Sequence, residues 1–82
     1  MTTPFETPSF FTEEQLKESP ILKFFHFSQF PEGPMRDLGE TFAQQALTII
    51  LSVGPSAERS AALRSLLNAK TETIRAYSEN PR

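Results

Sequence analysis

The sequence predicts an all-α chain: an antiparallel helical hairpin with a short N-terminal helix and a phenylalanine-rich arm, assembled as a homo-oligomer. Three observations predict it. Apolar residues recur at three-and-four spacing over two long segments, each segment carries its own start and stop residues, and only a short Gly54-Pro55 connection separates them. The expected division is an arm over residues 1–33, with its helix near 13–19, and a hairpin over 34–82, with helices near 35–53 and 57–78.

The elements follow in order from local chemistry. Thr12-Glu13-Glu14-Gln15 reads as a capping box, in which the Thr hydroxyl accepts from the Gln15 backbone and the Gln15 side chain reaches back. Phe11 and Leu16 are placed as a hydrophobic staple, and Pro20 limits the continuation. The stretch from Ile21 to Phe30 is apolar without clean periodicity, and Pro31-Glu32-Gly33-Pro34 marks a turn. Met35, Leu38, Phe42, Ala46, Ile49, Ile50 and Val53 then trace one helical face. Pro34 suits the first turn, Asp37 and Glu40 suit the positive N-terminal end, and Gly54-Pro55 stops the helix. Gly39 stands out as a weak point, costing about 1 kcal/mol against Ala. Ser56 caps the second helix, and Leu63, Leu66, Leu67, Ile74 and Tyr77 form its apolar face until Asn80-Pro81. The first long helix is apolar on more than one side, so its surplus is expected to meet the arm or another subunit.

Composition excludes much chemistry. With 82 residues, no cysteine and a single histidine, there is room for one small domain and none for a disulfide framework, a thiol nucleophile or a two-histidine metal site. No apolar run approaches a membrane span, and the N-terminus lacks a signal-peptide layout, so a soluble intracellular protein is expected. Residues 1–34 carry two lysines against five glutamates, and residues 35–82 six basic against five acidic groups. Neither half is basic enough for duplex nucleic acid, whereas a small anion held by a few arginines fits. No Gly-rich phosphate loop or pair of catalytic carboxylates is present, so no enzyme activity and no cofactor are expected.

Seven of the eight phenylalanines fall in the first 30 residues, and Phe24-Phe25-His26-Phe27 is their densest cluster. Aromatic rings stack on nucleobases, but they more often fill cores. His26, the only group titrating near neutrality, reads either as an aromatic neighbour within the arm or as a group that stacks on or hydrogen-bonds a base. Ser60, Arg64, Asn68, Thr71 and Arg75 form a donor-rich stripe on the second helix, suited to phosphates and base edges and equally to a solvated face. Arg59 places a positive charge at a helix start, where it is mildly unfavourable and calls for an anion or a carboxylate partner. Lys70 falls on the apolar side, so it either snorkels or points into a subunit interface. Arg36 either pairs with its neighbour Asp37 or reaches a phosphate.

The ordering of Phe-x-Phe, Pro-Glu-Gly, a helix with an early Arg, Pro55-Ser56-Ala57-Glu58-Arg59-Ser60-Ala61-Ala62-Leu63, Leu66-Leu67-x-Ala69-Lys70 and Ile74-Arg75-Ala76 resembles the small helical-hairpin sponges by which phages defeat CBASS and Thoeris immunity. The resemblance runs from Phe24 to Ala76 and is strongest across the second helix. It implies a homo-oligomer, typically a hexamer, in the host bacterial cytoplasm. It also implies binding without turnover of cyclic nucleotide messengers: cyclic di- and trinucleotides or cyclic ADP-ribose derivatives. Carried onto this chain, it points to Phe25, Phe27, Arg36, Arg59, Arg64 and Arg75; with His26 and Ser60 from the residue chemistry above, these are the candidate ligand-binding positions. The alternative expectation is an oligomeric interaction module that binds a host protein through the Phe-rich arm.

Overall fold

The computed structural model describes residues 10–82, so Phe5 and the first part of the expected arm lie outside the described residues. Within that range all regular structure is helical: α1 (Glu13–Glu18), a 3-10 helix (Pro20–Phe24), α2 (Pro34–Ser52) and α3 (Ala57–Glu79). None of these helices is long and apolar enough to cross a membrane.

Local chemistry sets each boundary. At α1 the capping box forms with both bonds: the Gln15 backbone N–H donates to Thr12 Oγ1 at 3.1 Å, and the Thr12 N–H donates to Gln15 Oε1 at 2.9 Å. Two orphan donors are thereby satisfied on a helix too short to hold itself together by propensity. Pro20 opens the 3-10 helix and Pro34 opens α2, each where a missing N–H costs nothing. Gly33, just before α2, has φ of +136°, a conformation that side chains with a Cβ rarely adopt. At α3 the Ser56 hydroxyl accepts from the Arg59 N–H at 3.0 Å.

The core is shared between the arm and the long helices. Phe11, Leu22 and Phe25 come from the arm, Ala43 and Ala46 from α2, and Leu63 from α3. The buried stripe of α2 therefore differs from the expected one: it is Gly39, Ala43 and Ala46, while Met35, Leu38, Phe42, Ile49 and Ile50 are half-buried and Val53 is exposed beyond the helix end. The reason is steric. Small residues spaced by four and three leave a shallow groove on α2, and the large arm side chains fill it.

Gly39 belongs to that groove. A Cβ added there would sit 2.8 Å from Phe27 Cβ and 3.3 Å from Phe30 Cε2. What reads in sequence as a weak point is a close approach between α2 and the loop of residues 27–30.

The fold measures 37 × 37 × 15 Å. It is flat, its shortest dimension less than half of the other two. Leu51 stays 70% exposed on α2, and Phe24 50% exposed on the arm.

Candidate functional site

Two buried cations on α3 decide how the arm sits. Arg59 and Lys70 are eleven residues apart, three helical turns, and therefore share a face with Leu63 between them. Both lie on the buried side.

Arg59 is 4% exposed. Its Nη1 donates to the Val53 carbonyl at 3.0 Å, and its Nη2 donates to Ser19 Oγ at 2.8 Å and to Glu18 Oε1 at 3.0 Å. This is the ion pair found among the described residues. The carboxylate partner that the position of Arg59 calls for is thus Glu18, and the guanidinium joins the end of α1, the end of α2 and the start of α3. Arg59 was expected to hold ligand; its donors are instead spent on the fold.

Lys70 is 5% exposed, and its Nζ donates to the Phe24 carbonyl at 2.7 Å while lying 5.9 Å from the Phe30 ring centroid. It neither snorkels nor reaches outward. The ammonium caps the last carbonyl of the 3-10 helix, as a cation near a helix C-terminus does. Burial pushes its pKa below the ordinary lysine value.

With the arm held at Glu18–Ser19 and at Phe24, its outer side forms an open cleft of about 510 Å³. Phe10, Phe27, Lys23, His26, Ser28, Gln29 and Arg36 contribute to the lining. Phe10 meets Phe27 edge to face at 5.6 Å, giving one aromatic wall. Lys23 and Arg36 supply two cations, and among the described residues no Asp or Glu lines the cleft. The His26 imidazole has a pKa below its ordinary value of 6.5: partial burial is the first cause, the Lys70 ammonium the second, and a hydrogen bond with Gln29 opposes them. His26 and the Lys70 Nζ each lie 5.9 Å from the centroid of the Phe30 ring.

The sequence-predicted residues divide into three groups. His26, Phe27 and Arg36 come together in this cleft, where the residue types match stacking and phosphate recognition. Phe25 borders it but is 1% exposed, leaving no ring face free for a base; the expectation that it stacks on ligand is corrected to a core role. Ser60 and Arg64 are exposed beside Arg59 at a smaller cleft of about 190 Å³. Arg75 is exposed on α3 and lines neither cleft; fifteen residues separate it from Ser60, about 22 Å along the helix. Sequence reasoning passed over Lys23 and Gln29, which line the larger cleft. Gln29 lies three residues beyond His26, a spacing from which a shared turn could have been inferred, whereas nothing in the sequence marks Lys23.

No protein-family model, curated protein or solved structure matches this chain.

Proposed function

We propose that this chain is a phage immune-evasion protein that binds and sequesters cyclic nucleotide second messengers without hydrolysing them. The observation that carries the reading is the cleft of Phe10, Lys23, His26, Phe27, Gln29 and Arg36. It offers an aromatic wall for a base, an amide and an imidazole for base edges, and two cations for phosphates. Base stacking contributes about 1–3 kcal/mol and a charge-assisted hydrogen bond about 1.5–3 kcal/mol, so a few such contacts give tight binding without a basic surface. Arg36 makes no ion pair with a described residue, which leaves its fork available to a phosphate.

The protomer is read as a helical hairpin, with α2 and α3 packed along one another, and its assembly as a homohexamer in the host cytoplasm. A flat fold, 15 Å in its shortest dimension, with Phe24, Leu51 and Val53 exposed supports further association. The other reading, a module that inserts its arm into a host protein, has less to draw on, because Phe11, Leu22 and Phe25 of the arm are already buried in the chain's own core.

A thermal-shift and calorimetric panel of cyclic dinucleotides, cyclic trinucleotides and cyclic ADP-ribose isomers tests the proposal. Saturable stabilisation by at least one of them is expected, since a ligand that binds only the native state must stabilise it. Arg36→Ala should weaken that binding about 10- to 100-fold with helix content unchanged. Folded protein that shifts with none of the panel refutes the reading.

A further inference from the structure

The charged groups described around His26 are all cations. Lys23 lines the cleft from the 3-10 helix and Arg36 from α2, and the Lys70 ammonium acts on the imidazole from α3. Its own loop contributes the neutral Gln29, and α1 contributes Leu16. Among the described residues, no carboxylate lines the cleft to balance Lys23 and Arg36, which line it, and Lys70 nearby. An empty cleft of this composition opposes a fourth positive charge, and one that holds an anion welcomes it.

We propose that His26 takes up a proton from solvent when an anion enters the cleft, so that ligand capture is coupled to acidity. The entering phosphate supplies the charge that the cleft lacks. The proton then adds on the imidazole lone pair, turning its acceptor nitrogen into a second donor toward the anion. The lowered pKa of the free imidazole agrees with this direction. By linkage, an anion that raises the affinity of His26 for a proton must bind more tightly as the pH falls. The gain is at most tenfold per pH unit, confined to the interval between the free and the anion-bound titration midpoints. The inference rests on the proposed function only in taking this cleft as the ligand site.

His26 is the only histidine in the sequence, so its ring signals report without ambiguity. The imidazole of the full chain is titrated by NMR alone, with sulfate, whose charge is fixed over this range, and with a cyclic dinucleotide, ionic strength being matched with chloride. Calorimetry of the dinucleotide over the same pH range, in two buffers of different ionisation enthalpy, counts the protons taken up. The expected result is a midpoint below 6.5 in the free protein, raised by either anion, with net proton uptake that His26→Gln abolishes. A midpoint that neither anion moves overturns the inference. Dinucleotide binding with pH-independent affinity also overturns it and leaves the proposed function standing. A midpoint raised by sulfate, with no cyclic nucleotide bound at any pH, upholds the proton coupling and refutes the sponge.

Discussion

Replacing Gly39 by alanine sets two well-measured effects against each other. An exposed helix-interior Gly→Ala change gains about 1 kcal/mol, from helix propensity and from a less flexible unfolded chain. At Gly39 the new methyl would meet Phe27 Cβ at 2.8 Å, well inside the 3.5–4.0 Å at which carbon atoms attract. A Cβ cannot swing away by rotamer change, so the relief must come from the backbone of residues 27–30 or from α2 itself. Overpacking of that kind costs about 1–3 kcal/mol. The difference is a net loss of up to about 2 kcal/mol, or several degrees in Tm for a chain of this size. Urea denaturation followed by far-UV circular dichroism, at one fixed protein concentration, reads it as a lower midpoint with unchanged slope. Because the displaced loop carries Phe27 and borders His26, any ligand of the cleft should bind more weakly to the variant as well. An increase in urea midpoint on Gly39→Ala would show that the approach of Phe27 to α2 is looser than described, and the reasoning would fail with it.

Arg59→Ala should cost about 2–4 kcal/mol in the same assay, since it leaves the Ser19 hydroxyl and the Val53 carbonyl short of their donor and opens a gap between arm and helices. Glu18→Gln should cost less than about 1 kcal/mol, because the Glu18 side chain is 54% exposed and solvent screens its half of the pair. Lys70→Met removes a desolvated ammonium but leaves the Phe24 carbonyl without its donor; these oppose, so stability should change by no more than about 1–2 kcal/mol, whereas Lys70→Ala adds a cavity and should cost clearly more. With its folded-state pKa lowered, Lys70 gives up its proton more readily folded than unfolded, so wild-type stability should rise as pH climbs through that lowered value toward 10.5, and Lys70→Met should lose this component.

The boundaries of the helices were legible because the signals are local. Helices expected near 13–19, 35–53 and 57–78 are found at Glu13–Glu18, Pro34–Ser52 and Ala57–Glu79, set by Thr12, Pro20, Pro34 and Ser56. The packing was not legible, for a reason that is equally physical. Hydrophobic periodicity weights large apolar side chains, yet on α2 the deepest positions are glycine and alanine, which score little and matter by what they leave room for. The same bias hid the register of α3. Arg59, Leu63 and Lys70 stand on one stripe, and two charges among leucines look like interruptions of a core until Glu18 and the carbonyls of Phe24 and Val53 are brought to meet them.

That stripe also separates the basic residues by what they are free to do. A buried guanidinium or ammonium must have its donors matched within the fold, or its desolvation is left uncompensated. Arg59 and Lys70 each donate from buried positions into the backbone or side chains of neighbouring segments, which makes them the two points where α3 grips the arm. Lys23 and Arg36 carry no such obligation, and the arm positioned by the first pair is what brings the second pair, with His26, to one cleft. Weakening the grip should therefore lower ligand affinity through the position of His26 and Phe27. A variant such as Arg59→Met that keeps its fold and its far-UV spectrum yet binds less tightly is the signature of that division, and unchanged affinity would mean that the cleft holds its shape without Arg59.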